Sequence, residues 1–255
     1  MADQRQIRRG GFYWIEEVPY PSVTNIIGIL DKPALRYWYG REVYRAMVAD
    51  PSLSEKDALS KPYQVSESAK DRGSTVHSIV EAWRQSQAQV DNVPEPFRGY
   101  AQAFYQWVED NQTEIVEHER TVVSKEHGYA GTLDLLVKLN GAKLPLVADV
   151  KTGKDIYDEA WLQLSAYRHG LAEQGVETAG IAVVLLQENG SYKFQHQTED
   201  YLPQFLACKT IWEWQNREDL AKLAKYSRST GKPSQPRNGQ RRDSRKEATN
   251  GTLKF

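Results

Sequence analysis

Thiol chemistry is nearly absent from this chain: among its 255 residues there is one cysteine, Cys208. A single thiol excludes an internal disulfide. It also excludes a cysteine-ligated iron–sulfur cluster built within one chain, which ordinarily takes four thiolates. Cys208 itself reads as a small buried apolar residue. Long hydrophobic runs are missing too, and no stretch approaches the roughly 20 apolar residues that a membrane-spanning helix needs. The first residues, MADQRQIRRGG, carry basic side chains with no apolar segment behind them. That argues against a secretory signal and for a reducing, cytoplasmic setting. With 40% hydrophobic and 26% charged residues, the composition suits one soluble globular domain with a flexible end.

The net charge of −1 conceals an uneven distribution. Residues 221–255 hold ten lysines and arginines against two acids, Asp243 and Glu247, which leaves 23 basic and 32 acidic residues in the rest of the chain. From about Ser227 onward Ser, Gly, Asn, Arg and Lys dominate, and the sequence predicts a disordered basic tail over 227–255. An acidic body with such an arm suits a metal-binding core attached to a polyanion-seeking extension. A solvated tail without a role fits the same composition.

The spacing of apolar residues orders the remainder, read as one domain over 1–226. Residues 12–30 form an aromatic segment and then an apolar stretch led by Ser22 and Thr24. A helix is expected over 32–50, and two more within 52–87, capped by Ser54 and Ser74. In the last of these Val76, Ile79, Val80 and Trp83 recur at helical spacing. Past the break NVPEP, another helix covers 97–111, closing a mainly helical part over 12–112. The period then shortens to alternation, predicting three successive strands within 113–153. A helix over 156–175 follows, then a strand, an Asn-Gly turn and a strand within 179–197, and a closing helix over 201–226.

Charges within the apolar strands carry the chemistry. In "GYAGTLDLLVKLNGAKLPLVADVKTGK", Asp149 and Lys151 are two apart and share a strand face. Asp134 lies between leucines on the preceding strand, where a hairpin brings it beside Asp149. Two adjacent carboxylates repel unless a cation sits between them. Oxygen ligands of this kind favour Mg²⁺ or Mn²⁺, with Lys151 placed to orient or deprotonate a bound water and to stabilise charge on a phosphate. A structural Asp–Lys ion pair at a strand end fits the same three residues.

The ordered set "RGSTVHSIVEAW", "VEHERTVV", "GTLD", "ADVKTGK" and "QLSAY" resembles the RecB-like branch of the PD-(D/E)xK nuclease superfamily. "PYPSVTNIIGIL" resembles the opening segment of phage-encoded exonucleases and of the mitochondrial genome maintenance exonucleases. The resemblance runs over residues 18–200. It implies an α/β, restriction-endonuclease-like fold: a mixed β-sheet core flanked by helices, with an N-terminal helical segment. It implies divalent-metal-dependent hydrolysis of DNA phosphodiesters, with Asp134, Asp149, the Val150 carbonyl and His77 holding Mg²⁺ or Mn²⁺ and Lys151 activating water. The third-motif acid is Asp149 where the family often has Glu, and the cysteines of the iron–sulfur relatives are absent. Glu81, one turn beyond His77, and Glu119 fit outer positions around the metal, although both read equally well as solvated acids. Gln163 and Tyr167 share a helix face at the family's interval after Lys151. They match a phosphate-directed amide and a DNA-facing ring, or else a surface amide and a core ring.

Arg72 and Gly73 before the His77 helix, and Ser22 and Thr24, are candidate phosphate contacts, with helix capping the alternative for the hydroxyls. Tyr13, Trp14, Tyr20, Tyr37, Trp38 and Tyr39 are either base-stacking or packing residues. The expected activity is exonucleolytic cleavage of DNA at single strands or ends, in phage replication, recombination or repair. The C-terminal GTLKF is a candidate docking peptide for replication or recombination proteins. Two alternatives stay open: a nucleic-acid-binding module that has lost its chemistry, and a structure- or site-specific endonuclease.

Overall fold

Strands buried on both faces make the centre of the protein. The computed structural model describes residues 7–84 and 93–230; the side chains of 7–9, 67–72, 74, 75, 77, 81–84 and 225–230 lie outside that description. Strands β4 (Glu114–Ser124), β5 (Tyr129–Lys138), β6 (Leu146–Lys151), β7 (Gly180–Leu186) and β8 (Tyr192–Gln197) form a five-stranded sheet in that order. Neighbours are antiparallel except β6 and β7, which are parallel and joined through helix α5 (Asp158–Glu173). All seven residues of β7, GIAVVLL, are buried, as a continuous apolar run requires when both faces are covered.

One face, through Val147, Ile181 and Val183, packs on α5, on the short α1 (Val23–Ile27) and on α6 (Leu202–Gln215), with Leu164 and Phe205 at its centre. The other, through Ala148, Val150 and Val184, packs on Phe104 and Trp107 of α4 (Glu95–Asp110) and on Val76 of α3 (Glu55–Arg84). Burying a large apolar side chain of this kind contributes roughly 1.5–3 kcal/mol. This is the mixed α/β architecture expected from the sequence. Among the described residues no helix is long and apolar enough to cross a membrane, and Cys208 is buried on α6.

Three departures from the sequence reading have local causes. Residues 12–112 are mainly helical, as expected, but they open on strands the sequence reading lacks: β1 (Ile7–Arg9), β2 (Phe12–Ile15) and β3 (Val18–Pro21) form a small antiparallel sheet. Its first turn is Gly10–Gly11, both at positive φ, and its second is Glu16–Glu17, at φ 50° and 65°. Such turns need left-handed backbone at both central positions, which glycine adopts freely and glutamate does not. The two helices expected within 52–87 are one, α3. Ser54 does cap it, accepting from the Asp57 amide at 3.2 Å, but Ser74 lies in its interior. Pro62 removes one donor without stopping the helix, and Gly73 disfavours it by only about 1 kcal/mol. The closing helix is two, α6 and α7 (Arg217–Thr230), broken at Asn216, whose side-chain amide donates to the Trp212 carbonyl at 2.8 Å. Helix α7 thus runs past 227, and residues 231–255 lie outside the described residues.

Candidate metal centre

The β5–β6 hairpin performs the convergence that the sequence called for. The pairing of Leu135 with Ala148 and of Leu136 with Val147, continued one step, sets Asp134 level with Asp149. An Asp134 carboxylate oxygen accepts the Val150 backbone amide at 3.0 Å. Lys151 Nζ is 2.6 Å from Asp149 Oδ2. Asp149 is 1% exposed, and beyond Lys151 and Asp134 no described residue is seen bonding to its carboxylate oxygens. A buried carboxylate is expected to be satisfied by donors or by a cation. The Lys151 ammonium stands against one oxygen, and the Asp134 carboxyl is close enough to share a proton with the same carboxylate.

A break in the ladder sets the orientation of Asp134. Leu133 and Leu136 both join the core on the α5 side, while Leu135 and Val137 join the opposite one. Residues three apart cannot share a face of a regular strand, so β5 changes phase between them. On β4, His118 and Arg120 pair with Leu135 and Leu133, and Glu119 between them stands at φ 44° with no partner in the ladder. Asp134 is its counterpart on β5. The phase change turns Asp134 toward the same face as Asp149, because Val147, two residues before Asp149, belongs to the α5-side core.

Burial first, and the Asp149 carboxylate second, lift the Asp134 carboxyl well above the ordinary 3.8; Lys151 and the Val150 amide pull the other way. Burial works against the Lys151 ammonium, but Asp149 and Asp134 outweigh it and raise its affinity for the proton. Two acids and one ammonium therefore form one electrostatically linked unit. An oxygen-ligated divalent ion fits that donor set.

Around this unit, Tyr167 on α5 is buried against Gly131 of β5 and accepts a hydrogen bond from Gln163 Nε2 at 3.1 Å. Burial, then Asp134 and Asp149, push the Tyr167 hydroxyl up, so the ring lies within electrostatic reach of both carboxylates. Tyr13 reaches over from β2 to Thr132, Oη to Oγ1 at 3.0 Å. Val150 is buried on β6. Glu119 is exposed, so it borders the pair from the neighbouring strand without joining the buried unit. His77, Glu81 and Arg72 fall on α3, and their side chains lie outside the described residues. Ser22 is buried and caps α1, accepting the Asn25 amide at 3.1 Å, while Thr24 is exposed. Tyr13 and Trp14 are core residues, whereas Tyr37 is 73% exposed.

Sequence reasoning passed over one feature. A cavity of about 790 Å³ lies between the start of α2 (Pro33–Ala49) and the loop after β6, lined by Lys32, Tyr37, Trp38, Arg41, Lys154 and Tyr157 among others. Lys154 and Tyr157 follow Lys151 by only a few residues. The signal was the mixture of aromatic and basic residues in two segments distant in sequence, which nothing local joins. No family model matches the chain, and no curated protein matches it.

Proposed function

We propose that the chain is a Mg²⁺- or Mn²⁺-dependent DNA exonuclease of the RecB-like PD-(D/E)xK type, acting on single strands or DNA ends. The observation that carries this is the buried Asp149 carboxylate, level with the Asp134 carboxyl and with the Lys151 ammonium 2.6 Å from one of its oxygens. Asp134, Asp149, the Val150 carbonyl and the His77 imidazole would hold the ion. When bound, it supplies a water of lowered pKa and a positive pole for a phosphate oxygen. Lys151 orients that water and offsets charge developing on the phosphate. Gln163, fixed by its bond to Tyr167, offers an amide to a phosphate oxygen. The cavity beside the Lys151 loop suits an unpaired strand, with Tyr37, Trp38 and Tyr157 for bases and Lys32, Arg41 and Lys154 for phosphates. The setting we infer is cytoplasmic, in phage-type replication, recombination or repair.

The test uses end-labelled single- and double-stranded DNA and a closed circle, with Mg²⁺ or Mn²⁺. The expected result is loss of the linear substrates, survival of the circle, and cutting by Asp149→Ala or Lys151→Ala reduced about 10²-fold or more. Binding without cleavage by the wild type replaces the enzyme with a binding module. Cutting of the closed circle replaces the exonuclease with an endonuclease.

A further inference from the structure

At the far end of the β4–β5 hairpin a second group of side chains converges, unrelated to the two aspartates. The hairpin turn carries Glu126 and His127, and the last turn of α5 carries His169 and, four residues on, Glu173. Among the described residues, Glu126, His127 and His169 are the one set of three potential metal ligands whose donor atoms all lie within 4.8 Å of one another. The two imidazole rings are 4.9 Å apart between centroids. From Glu126, one carboxylate oxygen is 3.8 Å from His127 Nε2 and the other is 3.8 Å from His169 Nε2.

These separations are longer than an N–H···O hydrogen bond, so the three groups face one another without bonding. His169 Nε2 is buried and has no hydrogen-bond partner among the described residues. Around a tetrahedral ion with metal–ligand distances near 2.0–2.2 Å, ligand atoms sit roughly 3.3 Å apart. The two carboxylate–imidazole separations exceed that spacing by about half an ångström, and no pair in the set exceeds it by more than about 1.5 Å.

The scaffold beneath the set is already fixed. Glu173 accepts hydrogen bonds from Ser124 Oγ, from the Lys125 amide at 2.8 Å and from the Glu126 amide at 3.1 Å. Ser124 Oγ in turn accepts the His127 amide at 3.1 Å. One helix-end carboxylate thus holds the turn in the conformation that presents Glu126 and His127 to His169. Glu173 also lies 3.5 Å from His169 Nε2. The carboxyl end of α5 adds the negative pole of a helix, which favours a cation there.

We propose that Glu126, His127 and His169 form a second metal site, which takes a borderline transition-metal ion of the Zn²⁺ class and clamps the β4–β5 turn to α5. Two imidazoles and one carboxylate select Zn²⁺, Co²⁺ or Ni²⁺ over Mg²⁺, the reverse of the oxygen-rich pair at Asp134 and Asp149. The two sites are separate: Tyr129, at the hairpin end, is five residues from Asp134, roughly 17 Å along β5. This inference does not rest on the nuclease reading.

The experiment is a Co²⁺ titration of the whole 255-residue chain at pH 8, read by visible d–d absorption, with Zn²⁺ displacement and thermal unfolding alongside. The wild type and Asp149→Asn give the same absorption and the same Zn²⁺-dependent rise in Tm. His127→Ala and His169→Ala lose both. Glu173→Gln, which disturbs the support and no ligand, weakens binding by roughly 10–100-fold. His127→Asn and His169→Gln, checked for unchanged circular dichroism, repeat the loss in conservative form. A spectrum retained in the histidine variants, one abolished by Asp149→Asn, or a wild type with no Co²⁺ absorption overturns the proposal.

Discussion

At the scale of single residues, Asp134 makes the sharpest claim about pH. Its folded-state pKa is raised above the unfolded 3.8, by burial and then by Asp149. The protonated carboxyl therefore favours the fold fully below 3.8, and that contribution is lost as pH rises through the higher folded value. In EDTA, the urea midpoint of the wild type is expected to fall relative to Asp134→Asn as pH climbs from about 4 through that window. Asparagine keeps an oxygen for the Val150 amide and discards the repulsion. Adding Mn²⁺ is expected to reverse the trend, because a cation then does what the proton did; an identical pH slope in both proteins and both conditions refutes the coupling. Lys151→Ala is expected to leave Mn²⁺ affinity within a few-fold while lowering single-turnover cleavage about 10²–10⁴-fold, the usual range for a lost proton-handling group. These three residues were legible in the sequence because strand periodicity and a hairpin suffice to bring them together. His127 and His169 were not, because only the return of α5 across the sheet makes them neighbours.

At the scale of elements, two glycines show how closely the layers approach. A Cβ on Gly131 would overlap the ring of Tyr167, and one on Gly99 of α4 would overlap the backbone carbonyl of Glu188 in the β7–β8 turn. Gly131→Ala is expected to destabilise the protein by about 1–3 kcal/mol and to break the Gln163–Tyr167 bond. Gly99→Ala should cost at least as much, because the obstacle is backbone. Equilibrium urea unfolding of both variants checks this, and wild-type midpoints would show that the layers can slide apart. All five strands of the large sheet, α5 and its end at Gly175 were readable from period and turn residues. The small sheet was missed although Gly10–Gly11 is a hairpin signal, because the second turn uses two glutamates that do not announce left-handed backbone. The α3 boundary was misread because serine and glycine mark helix ends only weakly, and the α6–α7 break because a single asparagine, Asn216, is its one local signal.

For the whole molecule, charge separates the basic C-terminus from the acidic body. Deleting residues 231–255 removes seven lysines and arginines against two acids. Turnover on short oligonucleotides is expected to persist, while the dependence of DNA affinity on salt concentration becomes shallower. An unaltered salt slope makes the tail a bystander. The other large-scale feature is how little of α2 belongs to the body: none of its seventeen residues is buried, and Tyr37, Tyr44, Met47 and Val48 are all exposed. Beside it, α3 is 30 residues long, about 45 Å of helix. A helix without a buried side draws little stability from packing and opens locally long before the sheet does. Amides of α2 should therefore exchange with deuterium well ahead of those in β5, β6 and β7, and a protease at low dose should nick the chain there first. The nicked protein would keep its sheet while the rim of the cavity comes loose, so shape at the cavity mouth and chemistry at the sheet can fail independently.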